Sequence, residues 1–99
     1  MDKILIVDDD EGLVHFLSRF FARQGLEVRS CNNGASALEM AASDSFDLIL
    51  LDYKMPGRNG LEALREMRRL QVKTPVIVMT AYGTMDTAIE AMKLGAYDY

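Results

Sequence analysis

The sequence predicts an α/β domain built on a parallel sheet, and three observations carry the prediction. Lys3-Ile4-Leu5-Ile6-Val7 and Phe46-Asp47-Leu48-Ile49-Leu50-Leu51-Asp52 hold apolar runs without alternation, as do strands buried on both faces. Pro75-Val76-Ile77-Val78-Met79 is a third run of the same kind. Between them lie segments with helical apolar spacing, and strand–helix alternation at these intervals gives right-handed crossovers and a parallel sheet. Ninety-nine residues make one domain, with no internal repeat, low-complexity tract or linker.

Taken in order, the first strand ends in Asp8-Asp9-Asp10. A helix follows with Leu13, Phe16, Leu17, Phe20 and Phe21 as one buried stripe, and Glu11, His15, Ser18 and Arg19 outward. Gly25 is its left-handed stop. Leu26 to Cys31 is a strand of mixed polarity, as expected at a sheet edge. Asn32-Asn33-Gly34 turns into a helix carrying Ala37, Leu38, Ala41 and Ala42. The central strand, residues 46–52, comes next and stops at Pro56-Gly57 and Asn59-Gly60. Gly60 opens a third helix, with Leu61, Leu64, Met67 and Leu70 inward and Arg65, Arg68 and Arg69 outward. After the fourth strand, ending at Thr80, a last helix runs from Thr84 to Leu94 with Met85, Ala88, Ile89 and Met92 on one stripe. Gly95 stops it.

Composition narrows the function classes. A net charge of −4 and a pI near 4.8 argue against nucleic-acid binding by this segment. No apolar run reaches the roughly 18 residues of a membrane span. Met1-Asp2-Lys3 does not begin a signal peptide, and a lone Cys31 suits a reducing compartment, so a cytoplasmic location is expected.

The chemistry lies in how the strands end. In a parallel sheet the carboxyl ends share one rim, where open α/β sheets take their ligands. Asp8, Asp9, Asp52 and the hydroxyl of Thr80 therefore converge. Two carboxylates ~4 Å apart repel by about 1 kcal/mol in bulk water and about 4 at an effective dielectric of 20. A divalent cation explains such a cluster, and oxygen donors without His or Cys favour Mg²⁺, or Mn²⁺, over Zn²⁺. With that charge offset, a carboxylate can attack a phosphoryl group, and Thr80 can hydrogen-bond a phosphoryl oxygen. Asp10 and Glu11 read as acids of a first helical turn. His15 reads as a surface residue, the basic group Arg65, Arg68, Arg69 and Lys73 as a solvated face, and Met67, Met85 and Met92 as core filler.

Val7-Asp8-Asp9-Asp10, Asp52-x-x-Met55-Pro56-x-x-x-Gly60, Met79-Thr80-Ala81 and Gly95-Ala96-x-x-Tyr99, in this order, resemble the receiver domain of two-component response regulators. The resemblance spans the whole chain. It implies a flavodoxin-like (CheY-like) doubly wound parallel sheet of order 2-1-3-4, with the family's fifth strand and fifth helix missing. It implies Asp52 as the phosphoacceptor from a sensor histidine kinase. Asp9, Asp52 and the backbone carbonyl of Lys54 would bind Mg²⁺, with Asp8 acting through water. Thr80 and Tyr99 match the family's switch pair. Residues 81–88 are similar to receivers of enhancer-binding transcription activators, so an effector domain in a longer chain and control of transcription are expected.

The family also carries a lysine at the end of its fifth strand, and neither Lys54 nor Lys73 occupies that position. Three alternatives stay open. A pseudo-receiver would act only through protein contacts. A Mg²⁺-dependent aspartyl-phosphate phosphatase would place a second acid where Lys54 stands. A nucleotide-binding domain would need a glycine-rich loop after the first strand, where Asp-Asp-Asp-Glu-Gly stands. The expectation is a signalling module rather than an enzyme. With the last strand an apolar edge, self-association or homodimer formation is expected too.

Overall fold

The computed structural model describes residues 2–55, 59–79 and 85–96. Four strands and four helices alternate among them: β1 (Lys3–Val7), α1 (Glu11–Arg23), β2 (Glu27–Cys31), α2 (Gly34–Ser43), β3 (Leu48–Asp52), α3 (Gly60–Arg69), β4 (Val76–Met79) and α4 (Met85–Lys93). All strand pairs are parallel, in the order β2-β1-β3-β4. The two acid-ending strands are thus the central pair, and β2, with its exposed Arg29 and Ser30, is an edge as its composition requires.

Because side chains alternate along a strand, each sheet face collects its own core. Leu5, Val7, Ile49, Leu51, Val76 and Val78 face α2, α3 and α4, where they meet Ala37, Leu64, Met67 and Ala91. Ile4, Ile6 and Leu50 face α1 and meet Val14, Leu17 and Phe21. The starts of α1, α2 and α3 are fixed by side-chain caps, with Asp10, Asn33 and Asn59 accepting from the amides of Leu13, Ser36 and Glu62. Helix α1 ends at Gly25 with φ +85°, and Gly95, with φ +92°, follows α4. Helix α3 ends the same way on Gln71, at φ 64°. There Val72 N–H donates to Met67 O at 2.9 Å and Gln71 N–H to Arg68 O at 3.0 Å.

Several expectations are corrected. Helix α1 is rotated about its axis: Val14, Leu17 and Phe21 face the sheet, whereas Leu13, Phe16 and Phe20 are exposed, Phe16 by 65%. Its apolar residues form two adjoining stripes, and the sheet takes only one. In α4, Ala91 is buried and Ala88 half-buried, while Ile89 and Met92 are exposed. The small residues face inward there, so Met92 is not core filler. Leu70 lies beyond the last turn of α3 and is 47% exposed. Arg68, expected outward, is half-buried and bonded to main-chain carbonyls. Strand β3 begins at Leu48 rather than at Phe46, whose side chain joins the core. Thr80, Tyr99, Pro56-Gly57 and the expected start of the last helix at Thr84 lie outside the described residues.

Candidate functional site

The pairing of β1 with β3 sets Val7 against Leu51, so one step further Asp8 stands opposite Asp52. Asp8 continues the ladder toward β2, its N–H donating to Cys31 O at 3.2 Å. Its side chain is buried, and Oδ1 accepts from the Asp10 amide at 2.9 Å. That bond turns the chain sharply after the strand. Asp9 is exposed above it, and Asp10 is spent on capping α1. Asp52 ends β3, half-buried, with the Lys54 amide 3.4 Å from its Oδ1.

Asp8, Asp9 and Asp52 each bring one carboxylate oxygen to within 4.8 Å of the others. Lys54 is near through its amide, and its side chain is exposed. Burial, then the charge of Asp8, and lastly that of Asp9 push the Asp52 carboxyl up to about 6, against a smaller opposing contribution from the Lys54 amide. The donor set is all oxygen and anionic, which hard divalent cations such as Mg²⁺, Mn²⁺ and Ca²⁺ take and which Zn²⁺ does not prefer.

Gly60, read from the sequence as a motif glycine and a helix start, also braces the site. It opens α3 directly beside the main chain of Asp52 and Tyr53, and its N–H donates to Tyr53 O at 2.7 Å. The available signal was a glycine just after the capping Asn59, where helix propensity disfavours it. Beside the acids, a groove of about 520 Å³ runs between α1 and the end of β2, lined by Glu11, Val14, His15, Ser18 and Asn32.

This sheet order and rim of acids define a doubly wound α/β module with a carboxylate site at its strand ends, and comparison with known proteins gives the family. Residues 4–99 match the response regulator receiver domain, and the chain belongs to that family. It is 46% identical over 99 residues to the regulatory protein AtoC of Escherichia coli, covering all of this chain and 22% of that protein. A response regulator from Burkholderia pseudomallei, solved with a phosphorylated aspartic acid, a calcium ion and citrate, superposes with a TM-score of 0.92 at 31% identity, over 100% of this chain and 58% of that one. The regulator TrrA of Thermotoga maritima, in complex with Mg²⁺-BeF, superposes with a TM-score of 0.89 at 32% identity, over 100% of this chain and 84% of that one. The fold is the CheY-like receiver fold, and this chain spans about a fifth (22%) of AtoC's length.

Proposed function

We propose that this receiver accepts a phosphoryl group on Asp52 from a phosphohistidine of a sensor kinase. A carboxylate oxygen of Asp52 attacks phosphorus, the P–N bond to the kinase breaks, and the electron pair and a proton return to the imidazole. The product is a mixed anhydride on Asp52. The observation that carries this reading is the close grouping of Asp8, Asp9 and Asp52 at the ends of the two central strands. Support comes from the phosphorylated aspartic acid of the Burkholderia relative and the Mg²⁺-BeF of TrrA.

Asp9, Asp52 and the Lys54 carbonyl would hold Mg²⁺, or Mn²⁺, with Asp8 acting through water. The cation would supply the positive charge that lets two anionic partners meet. Asp8, buried and bonded to the Asp10 amide, keeps the rim acidic and aims the turn. Thr80 is assigned the hydrogen bond to the phosphoryl group, and Thr80 with Tyr99 the switch. Glu11, His15 and Arg19, exposed beside the acids on α1, form the kinase docking face. The output is control of an effector domain in a longer chain, a reading supported by the 22% of the regulatory protein AtoC that this chain covers. Exposed Phe16, Phe20, Ile89 and Met92 favour self-association, which sedimentation at micromolar concentration tests.

Incubation with acetyl phosphate and Mg²⁺, followed by intact mass, decides the central point. A labile gain of one phosphoryl group, absent in Asp52→Asn, is expected. A folded protein that gains no mass is a module of protein contacts only. Charge reversal at Arg19 should slow transfer from the cognate kinase and leave acetyl phosphate reactivity unchanged.

A further inference from the structure

Arg68 sits at the far end of α3 from the acids and holds three segments together. Its Nη1 donates to Val72 O at 2.6 Å, and its Nη2 donates to Thr74 O at 3.1 Å and to Gly95 O at 3.0 Å. Val72 and Thr74 lead into β4, and Gly95 is the residue on which α4 terminates. The planar guanidinium suits this, since its donors point in fixed directions that a lysine ammonium does not reproduce. A cation is also favoured at a helix carboxyl end, where carbonyls are left without partners. Gly95 admits the side chain closely: a Cβ there would lie 3.0 Å from Arg68 Nε. Partial burial lowers the Arg68 pKa from its ordinary value.

The other end of α3 is equally constrained, because Gly60 lies against Asp52 and Tyr53. From Gly60 to Arg68 the helix rises about 12 Å as one rod. The last turn of α4 is therefore tied, through α3, to the main chain of the phosphoacceptor strand. The Arg65–Glu90 pair at 3.3 Å adds a second link between α3 and α4, but it is exposed and screened.

We propose that Arg68 is a positioning residue that clasps the carboxyl end of α4 to α3 and the entry of β4, so that rearrangement on phosphorylation is taken up at the start of α4 and not at its end. This rests on the receiver reading above. Buried Ala91 and Ala96 anchor the inner face at the clasped end, and Ile89 and Met92 stand exposed on the outer face.

Hydrogen exchange on the intact chain, with and without beryllofluoride plus Mg²⁺, tests the clasp. The proteins are the parent, Arg68→Met, Arg68→Lys and, as a stability control in the core, Ile49→Val. Without the phosphoryl analogue, Arg68→Met should speed exchange at Leu94–Ala96 by about tenfold or more, from loss of bonds made by a charged donor. Arg68→Lys should fall between it and the parent, and Ile49→Val should leave the ratio of exchange at Leu94–Ala96 to that in β1 unchanged. With the analogue, the parent should change at the first turn of α4 only, and Arg68→Met at both ends. Unchanged exchange at Leu94–Ala96 in Arg68→Met, or the same response in Ile49→Val, overturns the clasp. A parent that responds at both ends overturns the confinement of the movement. If the parent does not respond at Asp52 or anywhere else, the receiver reading and the confinement fail together, and the analogue-free ratios still decide the clasp.

Discussion

Gly60 and Asp52 touch through their main chains: a Cβ on Gly60 would drive into the carbonyl oxygen of Asp52. Helix α3 is seated directly on the strand end that carries Asp52, the proposed phosphoacceptor. Gly60→Ala should therefore cost about 1–3 kcal/mol, the usual range for forcing a methyl into a packed contact. It should also slow phosphorylation from acetyl phosphate by moving Asp52 relative to Asp8 and Asp9. Urea unfolding and intact mass measure the two effects. A variant with parental stability would show that α3 can slide without strain.

The acid cluster makes the metal-free protein sensitive to pH. Asp52 is raised to about 6 from an ordinary value of 3.8. Between those values the folded state binds more protons than the unfolded state, so this group's contribution to stability falls as pH rises toward about 6 and is flat above it. Solvent screening at a half-exposed carboxyl leaves about 1–2 kcal/mol of that change. Asp52→Asn should remove it and stabilise the protein at neutral pH by roughly 0.5–2 kcal/mol. Thermal melts across pH give the first result. Millimolar Mg²⁺ should raise the parental Tm more than that of Asp52→Asn, and equal shifts would take Asp52 out of the proposed metal site.

The rotation of α1 separates two leucine-like positions that sequence spacing treats alike. Leu17 packs on the sheet and Phe16 is exposed. Leu17→Ala should cost about 1.5 kcal/mol or more, and Phe16→Ala should stay within about 0.5 kcal/mol of the parent. Urea midpoints at equal slope distinguish them. The opposite ranking would return the helix to the expected rotation.

Gln71 closes α3 in a left-handed conformation, at φ 64°, where glycine would be unstrained. The strain is about 1–2 kcal/mol, and glycine's freedom in the unfolded chain takes back about 0.4–1. Gln71→Gly should thus stabilise the protein by about 0.5 kcal/mol. Gln71→Val, branched at Cβ, should destabilise it. Thermal melts of the pair provide the check.

The strands and the acid rim were legible because unalternating runs such as Leu48–Leu51 have one simple interpretation, and acids at their ends have few. The edge position of β2 followed from Arg29 and Ser30 within it. Helix rotation was not legible. In α1, Leu13, Phe16 and Phe20 compete with Val14, Leu17 and Phe21, and only the position of the sheet chooses. In α4 the inward face belongs to Ala91, which a search for large apolar residues passes over. Arg68 was read by its charge, yet its carbonyl partners become visible only once the chain folds back at Gln71 and Gly95. Gly60 announced a turn, but its contact with Asp52 needs the strand in place.

Parallel pairing also divides the molecule into a working rim and an idle one. Among the described residues each helix-to-strand connection, including Asp44-Ser45 after α2, returns at the end of the sheet opposite the acids, and Ser43, Asp44 and Ser45 are all exposed. A fluorescent or affinity tag spliced between Ser43 and Ser45 would therefore ride on the molecule without shadowing Asp52. The same geometry makes this rim the natural place to cut and rejoin the chain, giving permuted versions whose new ends lie away from the chemistry.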